Sequence, residues 1–408
     1  MLHYYKHHKL DVYLYDDLLI LSFLLSSCNR EDSKKSIFIP KDIVIAHRGT
    51  TYWAPEETEM AYRWARNMGA HYLEVDIQRS KDGVLLALHD DQLTRTTNIE
   101  DVFPERALEA SSHFSFEELM CLDAGSWFLN DELDHPKDYY HSQIKLSKTN
   151  QNAIAFNVPD KYMVSPESQV FIGGRQGVAT LEDVVRIAEG FRIAKDSLGH
   201  RLYQKIKEKG IIKYVFYYVK DSMDEGHRPG LYIETKEPHL FHGIEEDLYT
   251  DLAALKWNVI IDPDKDTIME ENGQLRVGET SAKVILQTFS LESLRKLNQL
   301  FKGKLPTAFL LWLGDSNMPK NDSIIYHQNL EYAKKMGVQI IAPSIGGSPN
   351  NYQDLLTEKN YQWIREYGFL IHPYSFDTPD QMLQYGPSCD GMFTNRAELT
   401  KEYYKNNK

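Results

Sequence analysis

The sequence predicts an α/β protein, a TIM (β/α)8 barrel with an inserted subdomain after the second βα unit. Eight short apolar runs recur along the chain, and helical stretches separate most of them. Repeated strand–helix units in one chain are typical of a parallel barrel. A further run, 84–89, follows the second after only four turn residues, too few for a parallel crossover, so we interpret it as an extra antiparallel partner. The eight predicted barrel strands are 43–46, 72–77, 231–233, 284–286, 308–311, 338–341, 369–371 and 391–394.

The composition is that of a globular protein with an acidic balance. The 408 residues carry a formal net charge of −13, and they are enough for one large barrel or two ordinary domains. Sequence-independent nucleic-acid binding needs a cationic surface, so this charge argues against that class of protein. No apolar run is long enough to span a bilayer.

The N-terminal segment is predicted to lie outside the barrel. An apolar run from Leu18 to Leu25 ends in Leu-Ser-Ser-Cys28, which resembles the lipobox of a bacterial lipoprotein, where the cysteine is acylated. We therefore expect a location in the bacterial cell envelope, periplasmic or surface-exposed. The alternative is an apolar segment with a free cysteine. The predicted boundaries are 1–28 for the signal segment, 29–39 for a polar tether and 40–400 for the barrel domain.

The first predicted unit joins strand 43–46 to a helix that begins at Pro55-Glu56-Glu57-Thr58. Its apolar positions Met60, Trp64 and Met68 fall on one side, and Gly69 closes it. Strand, helix and strand within about 30 residues form a parallel βα unit.

The hairpin predicted at 72–90 brings chemically active groups together. Glu74 and Asp76 are two residues apart in a strand, so both carboxylates leave the same face. A turn centred between Lys81 and Asp82 places Glu74 opposite His89 on that face. Two carboxylates and an imidazole therefore converge, which is the geometry of an active site.

The rest of the chain supplies helices and one irregular region. A capping box at Ser115 begins a short helix, and residues 129–175, which show no sustained period, are interpreted as the insertion. We expect Cys121 and Cys389 to be small buried core residues, with a disulfide between them as the alternative. Helical signal resumes at Thr180 and continues through 201–209. Four later helices are predicted at 245–257, 290–301, 326–336 and 359–366.

Short motifs recur in a fixed order: His47-Arg48-Gly49, Pro55 to Thr58, Gly69-Ala70, Leu73 to Asp76, Lys81-Asp82-Gly83, His89-Asp90, Arg95-Thr96-Thr97, Leu122 to Phe128, Ile233 to Lys236, Gln287-Thr288-Phe289 and Asp390 to Asn395. Together they resemble the glycerophosphodiester phosphodiesterase family, a family of phospholipase C-like TIM barrels. The resemblance covers about 43–128 and 177–400. Two positions depart from the family pattern, which usually has Asn where Glu57 stands and Asp where Asn395 stands.

The resemblance implies metal-dependent hydrolysis of small-molecule glycerophosphodiesters to sn-glycerol 3-phosphate and an alcohol. Glu74, Asp76 and Glu234 are hard oxygen ligands suited to Ca²⁺ or Mg²⁺. The resemblance assigns these three to the metal and puts Glu56 close enough to be a further ligand, directly or through water. Contact with a membrane is expected only through the lipid anchor.

The same resemblance implies roles for two histidines and two cationic side chains. His47 and His89 resemble the family's general base and general acid, a role suited to a side chain that titrates near neutrality. Arg48 would clamp the phosphate with its planar guanidinium, and Lys236 would add a second positive charge.

Three aromatic residues at strand ends, Phe289, Trp312 and Tyr374, are candidates for an apolar pocket wall, and core packing explains them equally well. Each polar motif alone is more typical of a solvated loop, a strand face or an ion pair, and their joint occurrence favours a site. Three alternatives stay open: a phospholipid or phosphoinositide phosphodiesterase of the same fold, a non-catalytic phosphodiester-binding surface lipoprotein, and a two-carboxylate glycoside hydrolase.

Overall fold

Eight parallel strands form the predicted barrel, and short hairpins extend it. The structure is a computed structural model that describes residues 38–129, 176–258 and 269–407. The strands in chain order are β1 (Ile43–Ala46), β2 (Tyr72–Arg79), β3 (Leu85–Ala87), β4 (Phe191–Ile193), β5 (Tyr203–Glu208), β6 (Ile211–Phe216), β7 (Tyr218–Lys220), β8 (Gly230–Thr235), β9 (Glu270–Glu271), β10 (Gln274–Leu275), β11 (Val284–Thr288), β12 (Thr307–Leu311), β13 (Ile340–Pro343), β14 (Leu370–Ile371) and β15 (Gly391–Thr394).

The helices cover the outside of the barrel. They are α1 (Glu59–Asn67), α2 (Ile99–Val102), α3 (Phe116–Leu119), α4 (Leu181–Ala188), α5 (Ile244–Ala254), α6 (Leu291–Phe301), α7 (Ser323–Lys335), α8 (Glu358–Glu366), α9 (Pro379–Tyr385) and α10 (Ala397–Asn406). Polar caps begin several of them. Ser115 and Thr180 form the capping boxes of α3 and α4, which confirms both predicted starts.

The barrel sheet runs in the order β14, β13, β12, β11, β8, β2, β1 and β15, and all of these neighbours are parallel. The chain beyond β14 closes the circle. Phe376 forms a parallel bridge with Thr394 of β15, and the Phe393 amide donates to the Pro373 carbonyl at 3.2 Å. As predicted, β3 is an extra strand, antiparallel to β2.

The alternation of side chains along β2 and β8 determines how far along the barrel the acidic residues lie. Tyr72 of β2 and Tyr232 of β8 lie in the apolar cluster that fills the barrel, with ring centroids 5.9 Å apart. Two residues further along these strands stand Glu74 and Glu234. Because side chains two apart share a face, the carboxylates lie directly above the apolar layer, toward the carboxyl ends of the strands.

Two predictions about local structure are wrong. The predicted helix at 201–209 is the hairpin β5–β6, whose turn Lys209-Gly210 has positive φ at both residues (50° and 85°). Such a turn matches the twist of paired strands, and Tyr203 and Tyr214 pack on Phe116. This packing outweighs the helix propensity of the Lys and Glu residues.

The second error is the register of the first hairpin. Ile77 pairs with Ala87 and Arg79 with Leu85, so the turn is centred on Asp82, half a residue later than predicted, and each pairing partner shifts by one residue. The backbone amide of Leu88 donates to the Asp76 carbonyl at 2.9 Å, and His89 follows the end of β3. His89 reaches the site because it has left the regular strand, where alternation no longer dictates its side.

The cysteine prediction is half wrong. Cys121 is exposed and Cys389 partly buried, and both are free thiols, so no disulfide joins them. Cys28, the signal segment, most of the tether and all but residue 129 of the predicted insertion lie outside the described residues. Within the described ranges, no helix is long and apolar enough to cross a membrane.

Candidate active site

Four carboxylates meet at the carboxyl end of β2 and β8. Asp76 and Glu234 are direct neighbours across the two strands. Oxygen atoms of Glu57, Glu74 and Asp76 lie within 4.8 Å of one another, and all three residues are buried. The structure therefore brings together the three predicted metal ligands and adds Glu57, which comes from the loop before α1.

Burial and mutual repulsion change the protonation of this group. Burial, followed by the charge of Asp76, raises the pKa of Glu57 and of Glu74 well above the usual range. Burial likewise raises the pKa of Glu234, although Lys236 opposes the shift. Asp76 differs, because Arg48, His89 and Lys236 outweigh the effect of burial and lower its pKa to about 2. The cluster holds more buried carboxylates than its cations neutralise.

Arg48 and Lys236 each pair with a carboxylate of the cluster. Arg48 Nε lies 3.1 Å from Asp76 Oδ2, and the Arg48 backbone amide donates to Glu74 Oε2 at 2.7 Å. Lys236 Nζ lies 3.3 Å from Glu234 Oε1. Both predicted phosphate-binding residues are therefore at the site, and Glu56 and the cluster acids hold the pKa of Arg48 above its ordinary value against the effect of burial.

Glu56 lies with arginines rather than in the carboxylate cluster. Arg95 donates to both of its oxygens, at 2.6 and 3.0 Å, and Arg48 Nη1 donates to Oε1 at 3.2 Å. The two guanidinium groups overcome burial and lower the pKa of Glu56 well below its usual range. A carboxylate held in this way orients Arg48 and Arg95, and Glu57 takes the position closer to Glu74 and Asp76.

His47 follows β1, and the sharp turn after it depends on glycine. Gly49 has a φ of +89°, and a Cβ there would meet the Cβ of Ala61 in α1 at 2.6 Å. The close approach of α1 and the left-handed backbone therefore both require glycine. His47 Nδ1 lies 2.8 Å from Asn395 Oδ1, at the end of β15.

His89 is held by a carboxylate and an arginine. Its Nδ1 lies 2.5 Å from Asp90 Oδ1, and Arg95 donates to the other Asp90 oxygen. Burial, with Arg48 and Lys236 nearby, lowers the pKa of His89 to about 4. The ring is therefore neutral at neutral pH, with its Nδ1 proton directed to Asp90.

The three predicted pocket aromatics form one continuous cluster with Tyr352, which sequence reasoning missed. Tyr374 contacts Phe289, Trp312 and Tyr352, with ring centroids 6.0, 6.4 and 6.4 Å away. Lys236 Nζ lies 5.2 Å above the Phe289 ring. The cluster is therefore connected to the polar site through Lys236.

Two other supporting residues had no role in the sequence analysis. Gln287 donates to Glu74 Oε1 at 2.9 Å, and Asp377 accepts from the Asn395 amide at 2.7 Å. Gln287 belongs to the motif Gln287-Thr288-Phe289, which gave it no role, and no quoted motif includes Asp377. The complete arrangement offers oxygen ligands for a cation, two cationic groups for an anion, and two anchored imidazoles for proton transfer.

Comparisons with known proteins identify the family of this chain. The family model described as the glycerophosphoryl diester phosphodiesterase family matches residues 47–248 and 249–399. A glycerophosphodiester phosphodiesterase of Bacillus subtilis is 27% identical over 384 residues, covering 93% of this chain and 92% of that protein. A glycerophosphoinositol inositolphosphodiesterase of Mus musculus is 44% identical over 112 residues, which cover 28% of this chain and 20% of that protein.

A solved structure shows the same fold. The Oleispira antarctica phosphodiesterase in complex with the product sn-glycerol-3-phosphate is 15% identical, with a TM-score of 0.51, and the match covers 91% of this chain and 98% of that one. The family model spans most of the chain. The chain therefore belongs to the glycerophosphoryl diester phosphodiesterase family and is an enzyme of that class.

Proposed function

We propose that the chain hydrolyses glycerophosphodiesters to sn-glycerol 3-phosphate and an alcohol, with a divalent metal and two histidines. The observation that carries the proposal is the cluster of buried carboxylates between Arg48 and Lys236. The Bacillus subtilis relative is named for this activity, and the Oleispira antarctica phosphodiesterase was solved with this product. Both support the proposal.

The carboxylates fit a hard divalent cation such as Ca²⁺ or Mg²⁺. The donor set is all oxygen, and the buried Asp76 Oδ2, although it lies 3.1 Å from Arg48 Nε, makes no well-aligned hydrogen bond with a described residue. Glu74, Asp76 and Glu234 would hold the cation, with Glu57 beside them and Glu56 left to the arginines. When bound, the cation would supply positive charge to the phosphoryl oxygens and lower the pKa of an attacking hydroxyl.

The protein's own groups would bind the substrate and move protons. Arg48 and Lys236 would hold the phosphodiester oxygens by charge-assisted hydrogen bonds. Each histidine has its Nδ1 anchored, so we assign proton transfer to Nε2. His47 would accept the proton of the attacking hydroxyl at Nε2. The negative charge of a bound phosphodiester would favour the charged form of His89, which carries a second proton on Nε2, and His89 would give that proton to the alcohol that leaves.

Turnover by the purified chain tests this function. We expect release of sn-glycerol 3-phosphate from glycerophosphodiesters in buffer with Mg²⁺ or Ca²⁺, and no release when intact phospholipids or phosphoinositides are supplied. No release from any diester would contradict the activity and favour the phosphodiester-binding alternative. Release from intact phospholipid at a comparable rate would favour the phospholipase alternative.

Paired histidine variants test the proton transfer. His89→Ala should lower kcat by about 10²–10⁴-fold. His200→Ala is a matched control, because His200 also pairs with an aspartate, Asp196, at 3.3 Å, but on the surface. Equal activity of the two variants would exclude His89 from catalysis.

We also propose that Cys28 carries a lipid anchor that holds the enzyme at the bacterial cell envelope, on the strength of the apolar run and the Leu-Ser-Ser-Cys sequence. Expression in a bacterial host followed by detergent-phase partition tests it. The unaltered chain should enter the detergent phase and Cys28→Ser the aqueous phase. Identical partition of both would contradict the anchor.

A further inference from the structure

The aromatic cluster beside the candidate active site has one exposed member. We define the aromatic wall as Phe289, Trp312, Tyr352 and Tyr374. Trp312 follows the end of β12 and is 36% exposed. Its ring centroid lies 5.0 Å from that of Tyr352, at an interplanar angle of 82°, and it stacks toward Tyr374. Trp312 therefore leaves part of its indole open to solvent at the outer end of the wall.

The wall extends along the groups that would hold the phosphate. At one end Lys236 Nζ lies 5.2 Å above Phe289. At the other, Tyr352 is close enough to Arg48 for the two to interact electrostatically. A phosphodiester bound by these two cations therefore has one of its ester substituents beside the wall.

A carboxylate lies close to the wall. Asp315 lies three residues after Trp312 in the turn that follows β12, and its backbone amide donates to the Trp312 carbonyl at 3.3 Å. Its Oδ1 accepts from the Ser316 amide at 2.8 Å, and its charge acts on Tyr374. Among the residues that the structure describes, no lysine or arginine pairs with Asp315.

Aromatic faces with a neighbouring carboxylate attract a cation that is weakly hydrated. A quaternary ammonium group suits them best, because it offers no hydrogen-bond donors and a diffuse positive charge over an apolar surface. We propose that Trp312, Tyr352, Tyr374 and Asp315 bind a quaternary ammonium headgroup, so that the preferred substrate is a choline-type glycerophosphodiester. In such a diester two methylene groups separate the ammonium from the phosphate oxygen, a spacing that suits a wall adjoining the phosphate site.

Other occupants fit less well. A polyol headgroup such as inositol needs hydrogen-bond partners, and the Tyr374 hydroxyl is already donated to the Leu311 carbonyl at 2.7 Å. An acyl chain would gain from the ring faces but would bring apolar surface against the Asp315 carboxylate. The wall therefore favours a group that is both apolar and positively charged.

A pair of isosteric substrates separates charge from size. The inference rests on the proposed function and uses the full chain with glycerophosphocholine and with the glycerol 3,3-dimethylbutyl phosphodiester, in which carbon replaces the ammonium nitrogen. We expect kcat/KM to be about tenfold higher for the choline diester, because a cation–π interaction stabilises the charged headgroup and not its neutral isostere. Equal kcat/KM for the two would overturn this inference and leave the proposed function standing. No turnover of either diester would overturn both.

Variants of the wall test which residues cause the preference for the charged headgroup. Trp312→Ala and Asp315→Asn should each reduce the ratio of the two kcat/KM values severalfold, and Trp312→Phe should retain most of it. Tyr249→Ala is a matched control, because Tyr249 is an aromatic residue of similar exposure (40%) on the outer helix α5, and its ratio should be unchanged. A preference that survives in both Trp312→Ala and Asp315→Asn would contradict the assignment to the wall.

Discussion

His47 Nδ1 lies 2.8 Å from Oδ1 of Asn395, a residue 348 positions later in the chain. Asn395 Nδ2 donates to Asp377 Oδ1 at 2.7 Å. A carboxylate accepts hydrogen bonds, so the amide nitrogen must face Asp377 and the amide oxygen must face His47. The proton of the neutral imidazole is therefore on Nδ1, and Nε2 carries the lone pair that a general base needs.

Replacing Asn395 tests this relationship. Asn395→Leu removes the acceptor that fixes the ring and its tautomer, so kcat should fall by about 10²-fold with a small change in KM. Asn395→Asp, which introduces the residue that the family usually carries, should favour the charged imidazole and move the acid limb of the kcat–pH profile to higher pH. An unchanged kcat in Asn395→Leu, or an acid limb that stays in place in Asn395→Asp, would contradict the role.

Removing divalent metal should affect both activity and stability. Chelation by EDTA should abolish turnover, because it removes the cation that the proposed reaction needs. Added Mg²⁺ or Ca²⁺ should raise the melting temperature of the metal-free chain, because the cation offsets the repulsion between the buried carboxylates. Glu234→Gln should weaken that increase. Glu237→Gln, at an exposed position nearby, is the control. Full activity after exhaustive dialysis against chelator would contradict the metal role.

Glu57 should increase metal affinity beyond what the three expected ligands provide. Its oxygens accept from the Asp76 amide at 3.0 Å and from the Tyr62 hydroxyl, so its charge is fixed beside the cluster. Glu57→Gln keeps a hydrogen-bond acceptor and removes the charge. We expect metal affinity, measured by calorimetry, to fall roughly tenfold.

The same variant should be more stable than the unaltered chain when both are metal-free at pH 8, because one buried carboxylate fewer is present. Glu57→Asn, the residue usual in the family, should behave in the same direction. Unchanged affinity in both variants would show that the Glu57 charge does not reach the cation.

The barrel and its acidic residues could be predicted because they depend on local periodicity. Glu74 and Asp76 share a face by strand alternation alone, and the apolar runs identified all eight barrel strands. Glu234 stands 158 positions after Asp76, and its place beside Asp76 could be expected only once the barrel and the family motifs were assumed. The strand pairing shows them as direct neighbours.

The unpredicted parts depend on loops and on barrel closure. Glu57 rather than Glu56 joins the cluster because the loop after β1 takes left-handed conformations at Arg48 and Glu57 (φ of 52° and 57°), which no residue pattern indicates. The His47–Asn395 contact requires β15 to lie beside β1. The hairpin β5–β6 depends on aromatic packing against Phe116, which overrides local propensity.

A stability prediction concerns Asp251, on α5. Burial, together with the charges of Asp247 and Glu182, raises its pKa from 3.8 to about 6. A carboxyl whose pKa is higher in the folded state favours folding below pH 3.8, and this contribution is lost as pH rises through 6. At pH 8 the ionised carboxylate therefore destabilises the folded chain.

Asp251→Asn should remove that penalty, because the amide resembles the protonated carboxyl in shape and carries no charge at any pH. The free energy of unfolding in urea should rise by about 1–2 kcal/mol at pH 8, after allowance for solvent screening of a partly exposed group, and should not rise at pH 4. Glu246→Gln, exposed on the same helix, should change neither value. A gain of equal size at both pH values would show that the substitution acts through packing or helix propensity, because only the loss of a charge with a raised pKa makes the gain grow with pH.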